Sequence, residues 1–129
     1  MAGALVDSDV LVGVLRGHEA TIEMLVNLRR RLSLATSTVT AFELLRGQMT
    51  PRRTRDVTLL LGEFEILPLD LAAASEAAAI DRKLRAAGQG LPPGDTLIAG
   101  TALANGLPVL THNVRHFGRI EGLILLDPA

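Results

Sequence analysis

Short apolar runs alternate with helical patterns along this chain, and an acidic residue stands at three of the junctions. Asp7 follows Ala4-Leu5-Val6 in LVDSDVLV, Glu43 lies in STVTAFELLRG just after LATS, and Asp95 opens the long apolar stretch of PPGDTLIAGTALANG. Runs of this length, apolar throughout, suit strands buried on both faces of a parallel sheet. Strands alternating with helices predict βαβ units, whose strands all end at one edge. That edge is where open α/β folds build their sites.

The spacing predicts strands over 4–6, 34–36, 65–69, 109–111 and 123–126. Helices are expected over 8–14, 19–32, 38–45, 51–61, 71–87 and 95–104. Thr50-Pro51 reads as an N-cap followed by a first-turn proline. Asp70 can cap the alanine-rich helix that Gly88 stops. The 95–104 helix is apolar or small nearly all round and should be buried. The expected architecture is a three-layer α/β/α domain with a central, mainly parallel sheet of about five short strands. No repeat, linker or second domain is visible, so 1–129 reads as one domain, with 127–129 just past the last strand.

Length and composition narrow the function classes. A chain of 129 residues can bury roughly two-thirds of its unfolded surface. The core must be aliphatic, because Trp and Tyr are absent and Phe42, Phe64 and Phe117 are the only aromatics. With no cysteine there is no disulfide framework or thiolate metal site. No apolar run reaches the ~18 residues of a membrane span, and Asp7 and Asp9 interrupt any signal-peptide pattern. A cytoplasmic protein is expected. The net charge of −1 argues against a non-specific nucleic-acid coat. Arginine supplies nearly all the positive charge, Lys83 being the one lysine. Arg29, Arg30 and Arg31 fit the favourable charge of a helix C-terminus. Arg52, Arg53 and Arg55 follow a helix start, where the dipole offers cations nothing, and are candidate phosphate contacts.

Each acid has a plainer reading as a helix cap or first-turn residue, and Asp9 fits that role best. Glu43 resists it. Its neighbours Phe42, Leu44 and Leu45 are apolar, so its carboxylate should be half-buried, and burial requires a cation or hydrogen bonds. Together, Asp7, Glu43 and Asp95 suit Mg²⁺ or Mn²⁺, hard ions that take oxygen ligands and can activate water beside a phosphate. Asn113, in LTHNVRHF, is a fourth candidate, through turn chemistry or by orienting a water. Ser8 and Thr111 can hydrogen-bond the carboxylates or serve as caps. His112 and His116 lack a metal-ligand pattern and read as loop or first-turn histidines.

LVDSDVLV also fits a phosphatase that uses Asp7 as nucleophile and Asp9 as acid/base. Such an enzyme needs a lysine at the phosphoryl group, and Lys83 lies in the polar run 81–85 instead. A phosphorelay receiver fails for the same lysine, and no GK[ST] phosphate loop is present.

The order of motifs resembles the PIN-domain ribonucleases, most closely the VapC toxins of type II toxin–antitoxin pairs. LVDSDVLV is similar to their first motif, with Asp7 as its acid and Ser8 as the hydroxyl that often follows. STVTAFELLRG is similar to the second, with Glu43 as its acid. The block from Gly94 to Leu123 is similar to the third, with Asp95 as its acid. The resemblance covers essentially the whole chain. It implies a parallel sheet between helices and Mg²⁺- or Mn²⁺-dependent cleavage of RNA phosphodiesters. It also implies a homodimer neutralised by a VapB-type antitoxin. Asp7 and Asp95 would be metal ligands, Glu43 would complete the acidic cluster, and Asn113 would position water or substrate. Many members carry a fourth acid where this chain has Asn113 and His116, which leaves a second metal site unsupported. A PIN-like module that binds RNA or protein without cutting is the alternative reading.

Overall fold

A computed structural model describes residues 2–47 and 49–126. Five strands form one sheet: β1 (Ala4–Val6), β2 (Leu34–Ser37), β3 (Glu65–Leu67), β4 (Val109–Leu110) and β5 (Leu125–Leu126). Their spatial order is β3-β2-β1-β4-β5 and every pairing is parallel. The chain therefore builds outward from β1 on one side, crosses back, and builds outward on the other. The point of reversal lies between β1 and β4, and it places the C-terminal ends of these two strands side by side.

Among the described residues, seven helices connect the strands: α1 (Ser8–Leu15), α2 (Glu19–Arg29), α3 (Thr38–Leu45), α4 (Pro51–Leu61), α5 (Leu71–Ala86), α6 (Pro93–Ala104) and α7 (Val114–Phe117). Their starts follow local chemistry. The side chains of Asp7, Ser37, Thr50 and Asp70 each accept a backbone N–H at a helix entrance. Two cores flank the sheet, because side chains alternate across a strand. Leu5, Ala35 and Val109 face one core with Ile98, Ala99 and Phe117. Ala4, Val6, Leu34 and Leu110 face the other with Val10, Leu11 and Val57. The result is the expected α/β/α sandwich, with α5 and α6 packed together on one face.

Several boundaries differ from the sequence expectation. Helix α2 ends at Arg29, because Arg30 and Arg31 donate to carbonyls three residues back and tighten the chain into a turn. Strand β3 stops at Leu67, since Pro68 has no N–H for the ladder. The following Leu69 N–H is taken by the Thr38 hydroxyl at 3.1 Å. Helix α6 begins two residues early, at Pro93, where proline suits a first helical position. Strand β5 spans two residues rather than four. Helix α7 was not expected, a single turn capped by Asn113. The tail 127–129 lies outside the described residues. Among the described residues, no helix is long and apolar enough to cross a membrane.

Candidate active site at the β1–β4 edge

Asp7 follows β1 and caps α1. Its Oδ1 accepts the Ser8 N–H at 2.8 Å, and its Oδ2 accepts the Thr111 hydroxyl at 2.8 Å. Thr111 follows β4, so this bond ties the two central strand ends together. The Asp7 residue is only 3% exposed. Burial pushes its carboxyl up to about 7, and the nearby charges of Asp9 and Asp95 push the same way. The bonds from Thr111 and Ser8 oppose them. A carboxylate in this setting gains from any cation that enters.

Asp9 does more than favour a helix start. Its Oδ2 accepts the His112 N–H at 3.1 Å and lies 3.3 Å from the Thr111 hydroxyl. It therefore braces the loop after β4 while adding negative charge beside Asp7. Asn113 N–H in turn donates to Thr111 Oγ1 at 2.9 Å. Ser8 is half-buried, with its hydroxyl 3.4 Å from Asp7 Oδ1.

Glu43 enters from α3 and is half-buried as expected, although Phe42 and Leu45 beside it are exposed. Its Oε1 is buried with no hydrogen-bond partner. Burial raises its carboxyl above the ordinary value and the Asp95 charge adds to this, opposed by the Ser8 hydroxyl and Arg46. Gly94 allows the close approach: a Cβ there would stand 2.9 Å from Glu43 Oε2. Helix α6, whose N-terminus carries no side-chain cap, thus begins directly against the Glu43 carboxylate.

Asp95 lies in the first turn of α6. Its Oδ2 is 2.8 Å from His116 Nδ1. This corrects the reading of His116 as a plain first-turn histidine: the ring turns inward onto an acid from another element. His112, by contrast, is an exposed loop residue. Asn113 caps α7, its Oδ1 3.4 Å from the His116 N–H. Its Nδ2 lies 2.9 Å from His116 Nδ1.

The fold thus gathers Asp7, Asp9, Glu43, Asp95, Thr111, Asn113 and His116 from four segments. Beside them, Asp9, Ser8 and His112 border a groove of about 790 Å³ that runs along α1 to Arg16 and His18. The arginine clusters lie elsewhere. Arg52 is exposed on α4, 4.0 Å from Asp56. Arg53 and Arg55 occupy the same helix, and neither bonds to the acids. Arg29 pairs with Glu63 at 2.9 Å and covers the Phe64 ring. Lys83 pairs with Glu121, outside the acid cluster, so it does not supply the lysine a phosphatase needs at Asp7.

Comparisons with known proteins bear on the family and the fold. The family model described as PIN domain matches residues 4–123. Ribonuclease VapC10 of Mycobacterium tuberculosis is 40% identical over 119 residues, covering 92% of this chain and 89% of that protein. The tRNA(fMet)-specific endonuclease VapC of Shigella flexneri is 29% identical over 123 residues, covering 92% of each. Among solved structures, the DNA-bound VapBC of Salmonella typhimurium superimposes with a TM-score of 0.89 at 29% identity, over the full length of both chains. VapBC2 of Rickettsia felis shares the fold, with a TM-score of 0.85 at 19% identity, covering 96% of this chain and 97% of that one.

Proposed function

The chain belongs to the PIN-domain family as a VapC-type ribonuclease of a type II toxin–antitoxin pair, and we propose that Asp7, Glu43 and Asp95 are its catalytic acids. The observation that carries this is Asp7, a carboxyl raised first by its burial and further by the charges of Asp9 and Asp95, at the reversal point of a parallel sheet. A chain that only needed a helix cap would not bring two further acids to the same edge.

The donor set fits Mg²⁺ or Mn²⁺. It consists of carboxylate oxygens that repel one another, and Glu43 Oε1 is an acceptor with nothing to accept. Among the described residues, no three His, Asp or Glu side chains are already drawn together as a ligand set. The fit therefore lies in the chemistry of the donors. Asp7 and Asp95 would hold the ion, and Glu43 would complete the cluster directly or through water. A divalent ion held there supplies charge neutralisation and an acidified water beside a phosphodiester.

The chain's own residues have separate tasks. Thr111 fixes one Asp7 oxygen and Ser8 N–H the other, so the carboxylate cannot rotate away. The Asn113 amide would orient the attacking water or the RNA backbone, in place of a fourth acid. Arg52 and Arg55, exposed on α4, and the half-buried Arg53 would contact RNA phosphates.

The whole of 1–129 is read as one PIN domain working in the cytoplasm. A VapB-type antitoxin is its partner, as in the VapBC assemblies that this chain resembles. A homodimer is proposed from the exposed Phe42 and Leu45 on α3. To test the metal reading, the antitoxin-free chain is given labelled RNA with Mg²⁺, Mn²⁺ or a chelator. Cleavage with either ion and none with chelator is expected. Undiminished cleavage in chelator would overturn the metal requirement.

A further inference from the structure

His116 was not expected to take part in the site, and its position shows a specific relation to one acid. Its Nδ1 lies 2.8 Å from Asp95 Oδ2 and 2.9 Å from Asn113 Nδ2. One ring nitrogen cannot donate to a carboxylate and accept from an amide at once. The charged acceptor makes the stronger bond, so Nδ1–H points to Asp95. The Nδ2 hydrogens of Asn113 then find no acceptor at that nitrogen and are directed elsewhere, while its Oδ1 stays at the His116 N–H. The short helix that carries the imidazole is anchored, because Phe117, the next residue, is fully buried in the core. The ring itself is 32% exposed and Asp95 20%, so this contact sits at the mouth of the site.

We infer that His116 is a positioning residue for Asp95: it holds Oδ2 and leaves Oδ1 as the oxygen offered to a divalent cation. The inference rests on the metal reading above and assigns a residue to it. A carboxylate that binds a cation through one oxygen needs its other oxygen held, or the ligand atom swings with χ2. Partners of this kind usually contribute about ten- to a hundredfold to metal affinity. Thr111 likewise holds one oxygen of Asp7, by a hydroxyl rather than an imidazole, although the other Asp7 oxygen also accepts the Ser8 N–H.

The test uses the full antitoxin-free chain and Mn²⁺ binding followed by electron paramagnetic resonance, with thermal midpoints measured alongside. Asparagine can place an amide N–H near the Nδ1 position, whereas glutamine reaches past it and phenylalanine has no donor. In His116→Phe and His116→Gln the Mn²⁺ affinity should weaken about ten- to a hundredfold, while His116→Asn should stay within about threefold of the parent. A merely structural role would lower the thermal midpoint and leave affinity unchanged. If His116→Phe does not fold, the comparison of Gln with Asn decides. The proposal is overturned if Gln binds Mn²⁺ as the parent does, or if Asn is weakened as much as Gln. If the parent itself binds no Mn²⁺, the metal reading falls, and this proposal falls with it.

Discussion

The Thr111 hydroxyl donates to Asp7 Oδ2 at 2.8 Å, joining residues 104 positions apart. Both residues are buried. The same Thr111 oxygen accepts the Asn113 N–H, so one hydroxyl links the end of β1 to the turn that carries Asn113. Replacing it by an isosteric methyl leaves Asp7 Oδ2 and Asn113 N–H without this partner. Thr111→Val should lower stability by about 1–3 kcal/mol, read by urea denaturation. Thr111→Ser, which keeps the hydroxyl, should lose less.

Gly94 and Gly100 lie on the same helix and predict opposite outcomes. At Gly100 a Cβ would stand 2.6 Å from the Ala73 carbonyl oxygen and from Ala77 Cβ, a contact with the rigid backbone of α5. Gly100→Ala should therefore lower stability by about 3 kcal/mol. At Gly94 the Cβ meets only the end of the Glu43 side chain, which can move. Gly94→Ala should fold with a thermal midpoint close to the parent's and yet cut RNA at least about tenfold more slowly. Equal cleavage by this variant would argue that the placement of Glu43 does not matter.

Asp7 makes stability depend on pH with a definite sign. Its carboxyl rises from 3.8 to about 7 on folding. Between these values the folded state binds the proton that the unfolded state has released. The contribution of Asp7 to stability therefore falls as pH rises from about 4 to 7. Asp7→Asn removes the charge, so it should stabilise the protein at pH 8, by up to about 4 kcal/mol, and flatten this slope. Mg²⁺ should raise the thermal midpoint of the parent more at pH 8 than at pH 5, and should not raise that of Asp7→Asn. A parent with no slope between pH 4 and 7 would contradict the burial account.

Phe42 is 60% exposed on α3 and Leu45 is 45% exposed on the same helix. Apolar surface of this kind is expected to be covered in an assembly. Light scattering should find a dimer for the parent and a monomer for Phe42→Glu, each with the same circular dichroism spectrum. A parent that stays monomeric at high concentration would remove the dimer.

Much of the fold could be read locally. Ala4-Leu5-Val6 before Asp7, and Thr50-Pro51 before an amphipathic run, are signals carried by neighbours in sequence. Glu43 was legible as a carboxylate among apolar residues, and it is half-buried with an orphaned oxygen. The strand order was not legible in this way, because no local pattern says that β4 returns beside β1. The bond from Thr111 to Asp7 depends on that return. His116 was missed for the same reason. The direction of its ring is set by where α6 packs, not by the residues around it. The only local hint was its spacing of three from Asn113, which matches a cap and the third residue of a turn. Asp9 was read as a cap because its partner, the His112 N–H, lies 103 positions away.

Asp7 and Asp95 are proposed to form one catalytic centre, and RNA cleavage by antitoxin-free protein decides whether they do. Parent, Asp7→Asn and Asp95→Asn are compared at saturating Mg²⁺ or Mn²⁺, each shown to be folded by its thermal midpoint. Both substitutions should lower the cleavage rate by at least about a hundredfold. Cleavage at the parent's rate by either folded variant would contradict the account.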